Sequence, residues 1–203
     1  IAVSKDYCTI DKKNKWITNI SSRDRAHLIR SEYDAIISTS KSINCDNSML
    51  NCRLNGFDNN KPDLIIIDRN LSIKKNLKVF KTKKNKRKIY IVTTVKDKKK
   101  YNYFKKKKII VIYTKSLINK EDFMELFKKL KKNNLGRILV ESGLIFLNHL
   151  LMNGIISNLY LFHSCLKLKT RGKNNTSNKI IKKLKLSNKI KVNLNGDNLY
   201  KVK

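Results

Sequence analysis

Proline is nearly absent, with one residue in 203, and there are only six glycines. A chain so poor in both is neither a flexible linker nor a collagen-like fibre. The four cysteines (Cys8, Cys45, Cys52 and Cys165) include no C-x-x-C pair, and the three histidines are scattered. That spacing disfavours a zinc site, so the thiols read as free intracellular ones and no metal is expected. No charged-then-apolar leader opens the sequence. The one stretch that invites a membrane reading, Ile138 to Ile156, contains Glu141, Asn148 and His149, with Gly143 between a strand-like and a helix-like part. A buried strand followed by an amphipathic helix is expected there, and no membrane.

Acidic residues are scarce too, 15 against 47 Lys and Arg, for a formal net charge of +32. A surface this basic attracts phosphates, which makes nucleic acid the first partner to weigh. Lysine far outnumbers arginine, however, and asparagine and isoleucine are abundant. These residues share A/T-rich codons, so the charge does not require a nucleic-acid partner. The runs Lys83–Lys88, Lys98–Lys100 and Lys105–Lys108, with Tyr101, Tyr103 and Phe104 nearby, give only a weak stacking signal. They read as solvated surface that draws anionic ligands inward.

What the chain does contain is alternation. Ala35–Ile37, Leu64–Ile67, Ile89–Val92, Ile109–Tyr113, Ile138–Val140 and Leu159–Phe162 are apolar runs of strand length. Several are apolar at consecutive positions, the pattern of strands covered on both faces. Between them lie helical periods. Ser21 with Asp24 resembles a capping box ahead of Ala26, Ile29 and Tyr33. Asn119 is placed to cap a helix whose stripe is Phe123, Leu126, Phe127 and Leu130, ending before Gly136. A third helix is expected from Leu144 to Met152, stopping near Gly154. The class is α/β, a mostly parallel central sheet with helices on both faces. No composition shift marks a boundary, so one domain over 1–203 is expected. After Thr170 the periodicity fades.

Two places could carry chemistry. Arg23 and Arg30 are seven residues apart on the first helix, close to one face, and with Arg53 they could fork onto a phosphate. Val140-Glu141-Ser142-Gly143 ends an apolar strand in a carboxylate and opens a helix through a small turn, the kind of place where α/β sheets bind ligands. There is no G-x-G-x-x-G, which disfavours an ordinary dinucleotide fingerprint. Trp16, the only tryptophan, reads as a core anchor, with a platform for a flat ring as the alternative. His27, His149 and His163 read as structural.

In order, the chain shows Ala2-Val3-Ser4-Lys5-Asp6, Trp16-Ile17-Thr18, Ser22-Arg23, His27-Leu28-Ile29-Arg30 and Asp34-Ala35-Ile36-Ile37. Asp46, Leu50, Arg53, Leu64-Ile65-Ile66-Ile67-Asp68 and Ile138-Leu139-Val140-Glu141-Ser142-Gly143 follow. This series resembles the reductase domain of the bifunctional riboflavin-biosynthesis deaminase–reductase, whose fold is dihydrofolate-reductase-like. The resemblance implies a cytoplasmic, homodimeric enzyme. It would use NADPH to reduce the ribosyl group of a phosphorylated ribosylaminopyrimidine, 5-amino-6-(5-phosphoribosylamino)uracil, to ribityl. It implies cofactor contacts at Ala2, Trp16, Ser42, Asp46, Gly143 and Leu144, and substrate contacts at Asn14, Arg30, Leu50, Arg53 and Glu141. Asp46 or Glu141 would handle the proton that accompanies the hydride.

The chain departs from the family pattern at Tyr7, Asn14, Ser42, Asn47-Ser48, Ser142 and Cys165. Tyr7 and Asn47-Ser48 are expected to lose a flexible and a rigid turn, respectively. Ile1 falls inside the first strand, after the position of the family's lysine, and the zinc-deaminase signature is missing. The chain therefore reads as a reductase segment of a longer protein, or a stand-alone reductase without its first residues. A basic nucleic-acid-binding module and a catalytically inactive scaffold are the alternatives.

Overall fold

The computed structural model describes residues 1–57, 62–81 and 87–202. It divides into two compact units, one of Ile1–Ala26 with Gly143–Lys203 and one of His27–Ser142. In chain order, β1 (Ala2–Val3) and β2 (Ile10–Asp11) open the first unit, and α1 (Ile20–Ser31) runs on into the second. The second unit continues with β3 (Ala35–Thr39), α2 (Ser40–Asp46), β4 (Asp63–Ile67), α3 (Lys78–Lys81), β5 (Ile89–Thr93), α4 (Lys98–Lys106), β6 (Ile110–Tyr113), α5 (Lys120–Lys131) and β7 (Ile138–Val140). The first unit resumes with α6 (Leu144–Met152), β8 (Leu159–His163), β9 (Gly172–Lys173), α7 (Lys179–Lys183) and β10 (Asn198–Val202). No helix among the described residues is long and apolar enough to cross a membrane.

The larger unit is the expected α/β sheet, five parallel strands in the order β6-β5-β4-β3-β7. Successive side chains of a strand point to opposite faces. Ile36, Leu64, Ile66 and Ile91 turn to one face and pack with Ile43 of α2, Val79 of α3 and Phe104 of α4. Ile37, Ile65, Tyr90 and Val92 turn to the other and are equally buried. Burial on both faces is why these strands read as unbroken apolar runs. Because all five strands are parallel, Thr39, Asp68, Thr93, Thr114 and Glu141 gather along one carboxyl edge.

Sequence and structure agree on α5, where Asn119 and Asp122 form a full capping box and Phe123, Leu126 and Leu130 are buried. They differ at α1. Its cap is Asn19, whose Oδ1 accepts from the Ser22 N–H at 3.0 Å, so the helix begins two residues before the Ser21–Asp24 reading. The lysine run at 98–108 differs as well. α4 carries it, with Asp97 as N-cap, and buries Phe104 in the core, which removes that ring as a stacking surface. Of the run Lys83–Lys88, residues 83–86 lie outside the described residues, and Arg87 is buried rather than solvated.

In the smaller unit, β8 pairs in parallel with β1 and antiparallel with β10, while β2 pairs antiparallel with β9. Val3, Leu144, Leu147, Leu159, Leu161 and Ile181 form its core. The tail that lacked periodicity thus supplies β9, α7 and β10. Tyr7 keeps the turn a glycine would have made, in the left-handed region at φ 61°, with Asn174 and Asn178 amides donating to its carbonyl. That conformation costs about 1–2 kcal/mol for a residue with a Cβ. Beside it, Asp6 is pulled to a pKa of about 2. Burial opposes this shift, but Ser4 and the Leu168 and Lys169 N–H groups donate to the carboxylate and outweigh it. In the larger unit, Asn47 likewise makes its own turn. It is left-handed at φ 45° as the C-cap of α2, and its side chain accepts from the Lys78 N–H at 2.9 Å.

Candidate active site

β7 stops at Val140, and the Glu141 N–H still donates to the Ile37 carbonyl at 2.9 Å, so the Glu141 backbone is fixed beside the end of β3. Its carboxylate receives a two-pronged pair from Arg30 in the last turn of α1. Nε donates to Oε1 and Nη2 to Oε2, both at 2.7 Å. The side chains are 14% and 25% exposed, so the pair is largely withdrawn from water. Burial alone would lower the Arg30 pKa, and the Glu141 charge reverses this and raises it. Arg30 Nη1 is also used, donating to the Asn51 carbonyl at 3.1 Å.

His27, one turn earlier on α1, joins Arg30 to Arg53. Its Nδ1 accepts the Arg53 backbone N–H at 3.2 Å, with Arg30 Nη1 at 3.3 Å. Burial, then the Arg30 and Arg53 charges, push the imidazole pKa down and keep the ring neutral. A neutral ring that accepts at Nδ1 carries its hydrogen on Nε2. Arg53 Nη2 stands 3.1 Å from that nitrogen, so two donors face each other. Among the described residues, the acceptor for the Arg53 fork is Asn51 Oδ1, at 3.1 Å from Nη1. The cluster therefore holds two guanidinium charges, one carboxylate and a neutral ring, which leaves one uncompensated positive charge on an exposed arginine.

The segment that presents Arg53 is anchored from below by Arg87, which donates to the Leu50 carbonyl at 2.6 Å and to the Met49 carbonyl. Burial lowers the Arg87 pKa to about 10. Beside the cluster, at the ends of β3 and β7, three hydroxyls form a triangle. Thr39 Oγ1 lies 3.0 Å from Ser42 Oγ and 3.4 Å from Ser142 Oγ, and the two serine hydroxyls are 3.3 Å apart.

Of the residues expected from the sequence, Arg30, Arg53 and Glu141 come together, and Ser42 sits in the hydroxyl triangle. Asp46 is exposed at the end of α2, one turn after Ser42 and on the same helix face. The Leu50 side chain is in the core, so only its backbone is placed to meet a ligand. The other expected contacts lie in the smaller unit. Ala2 pairs with Phe162 in β1, and exposed Asn14 donates to Asp11 Oδ2 at 3.0 Å. Gly143 caps α6, and Leu144 is buried in that unit's core.

Two readings change. Trp16 is not a core anchor; it is 51% exposed with Arg23 stacked 5.0 Å from its ring centre. Arg23 thus belongs to Trp16, and the partner of Arg30 across its cluster is Arg53. His27 is not merely structural, since it touches both guanidinium groups. The H-x-x-R spacing on α1 was its one sequence signal. Among the described residues, no group of three His, Cys, Asp or Glu could hold a metal ion.

Comparison with known proteins places this geometry in a lineage. The riboflavin biosynthesis protein RibD of Actinobacillus pleuropneumoniae is 27% identical over 150 residues, which is 74% of this chain and 39% of that protein. RibD of Aquifex aeolicus is 28% identical over 154 residues, 76% of this chain and 41% of that protein. The chain thus spans about two fifths of these curated relatives. Among solved structures, Acinetobacter baumannii RibD superposes with TM-score 0.77 at 17% identity, over all of this chain and 55% of that one. The Saccharomyces cerevisiae riboflavin biosynthesis reductase Rib7 does so with TM-score 0.70 at 22% identity, over all of this chain and 86% of that one. These likenesses establish the dihydrofolate-reductase-like fold. The model of the RibD C-terminal domain matches residues 7–187, and the chain belongs to that family.

Proposed function

We propose that the chain is an NADPH-dependent reductase of riboflavin biosynthesis, acting on the ribosyl group of 5-amino-6-(5-phosphoribosylamino)uracil. One reductase domain, working as a cytoplasmic homodimer, completes the reading. The observation that carries it is the uncompensated positive charge on Arg53, beside an Arg30 fixed by Glu141 and His27. A ribose phosphate supplies the missing anion, and an arginine fork is the donor suited to it.

The hydroxyls of Thr39, Ser42 and Ser142 fit a nicotinamide nucleotide, because they offer both donors and acceptors without a charge that would oppose its phosphates. NADPH, when bound, supplies the hydride. Ser42 and Asp46, on one face of α2, are its proposed contacts in the larger unit. Ala2, Trp16, Gly143 and Leu144 are proposed on the resemblance alone, as is substrate contact by Asn14 and by the Leu50 backbone.

The protein's own part is to orient the sugar by its phosphate and to deliver a proton to the heteroatom of the reduced carbon. Glu141 gives both oxygens to Arg30 and so acts as a positioning residue. Asp46 is the proposed proton donor. The test is loss of reduced-cofactor absorbance with the deaminated ribosylaminopyrimidine, for the wild type and Asp46→Asn. Turnover is expected in the wild type, and kcat is expected to fall about 10²–10⁴-fold in the variant, as for removal of a general acid. Unchanged kcat would remove Asp46 from the reaction, and no wild-type turnover would overturn the reductase reading.

A further inference from the structure

A second basic cleft lies along the carboxyl edge of the sheet, away from the Arg30 cluster. It holds about 270 Å³ and is lined by Arg69, Asn70, Thr94, Lys115 and Ser116 with Leu117 and Ile118. Arg69 stands two residues past the end of β4 and Lys115 two past the end of β6, so they flank the end of β5 between them. The Arg69 backbone is pinned, because its carbonyl accepts from the Thr94 N–H at 3.2 Å and from the Thr93 and Thr94 hydroxyls at 3.0 Å each. Both cationic side chains are exposed. No carboxylate lines the cleft. Nearby Asp122 is already occupied by the Ile118 and Asn119 N–H groups and the Ser116 hydroxyl. The groove on α5, by contrast, mixes Lys120 and Lys128 with Glu121 and Glu125, which would repel an anion.

We propose that this cleft binds a phosphate monoester, the one on the adenosine ribose that distinguishes NADPH from NADH. The inference rests on the proposed function. Three features support it. The cations are matched by no acid, and the cleft is smaller than the ~300–1,000 Å³ of whole-ligand pockets, so it suits one end of a ligand. Its position also suits a dinucleotide. The hydroxyl triangle stands at β3 and β7, and the cleft is centred on β5, two strands from β3 and about 10 Å along the same edge at ~4.8 Å per strand. A dinucleotide laid along the edge reaches from one to the other.

Calorimetric titration of the full chain with adenosine 2′,5′-bisphosphate, 5′-AMP, ribose 5-phosphate and inorganic phosphate tests this, in the wild type and in Arg69→Gln/Lys115→Gln. The wild type is expected to bind the bisphosphate about 10–100-fold more tightly than 5′-AMP, the worth of one or two charge-assisted hydrogen bonds. The double variant is expected to lose that margin while keeping its 5′-AMP and ribose 5-phosphate affinities, and its preference for NADPH over NADH in turnover is expected to fall with it. A margin that survives in the variant overturns the cleft and leaves the reductase reading standing. Equal weakening of ribose 5-phosphate would assign the cleft to the substrate's phosphate and overturn the proposal as well. A wild type that binds neither adenosine nucleotide would instead refute the NADPH reading itself.

Discussion

Glutamine in place of Glu141 is expected to cut kcat/KM for the phosphorylated substrate by about 10²–10³-fold, because a misplaced orienting group costs that much. The Arg30 fork matches a carboxylate, with one N–H to each oxygen at 2.7 Å. An amide keeps one acceptor and sets its NH₂ against the other guanidinium hydrogen. Arg30 is then a mostly buried cation with no counter-charge, a situation that costs 3–5 kcal/mol in a sealed interior and about 2–3 kcal/mol at the partial exposure seen here. For a chain of this size that is about 5–10 °C in melting temperature. The two readouts identify the role. A positioning Glu141 loses KM and stability together, whereas a proton-carrying Glu141 would lose kcat with Arg30 still in place and melting unchanged. Steady-state kinetics with a thermal melt distinguish the two outcomes.

Mild acid is expected to dismantle the same cluster through His27. Its imidazole pKa is lowered from the ordinary 6.5 by burial and by Arg30 and Arg53, while the Asn51 carbonyl and Glu141 pull weakly the other way. Because the folded value lies below the unfolded one, the stabilisation is fully present above about pH 6.5 and is lost as pH falls through the folded value. A protonated ring would place a third positive charge between two guanidinium groups and take Nδ1 away from the Arg53 N–H. KM for the phosphorylated substrate is therefore expected to rise, and melting temperature to fall, as pH drops below about 6.5, before ordinary carboxylates titrate. His27→Gln is expected to raise KM about 10-fold, the worth of one hydrogen bond at ~1.4 kcal/mol, and to flatten this acid limb. An acid limb of the same depth in the variant would show that another group titrates.

The sequence made the parallel strands legible because β3, β4 and β5 are buried on both faces, which leaves unbroken apolar runs. α5 was legible through its cap and stripe, and the Glu141 turn through the change from strand to helix period. The site was less so. Helical spacing joined Arg23 to Arg30, yet the first stacks on Trp16 and the second turns to Glu141, 111 residues away. No local pattern reports a partner that distant; the series of family motifs did. His27 was missed because its contacts come from a loop 26 residues on. Arg87 was hidden in a lysine run of the same charge, though it alone of that run's described residues is buried. β9 and β10 escaped because they are strands of two and five residues set in polar sequence, and their pairing with β2 and β8 is what makes them strands.

The most direct measurement compares the phosphorylated ribosylaminopyrimidine with its dephosphorylated form as substrates of the wild-type chain. If Arg30 and Arg53 form a seat for the sugar phosphate, removing that group is expected to lower kcat/KM by at least about 10–100-fold, the value of its charge-assisted hydrogen bonds. Equal kcat/KM for the two forms would contradict that seat and the substrate assignment built on it.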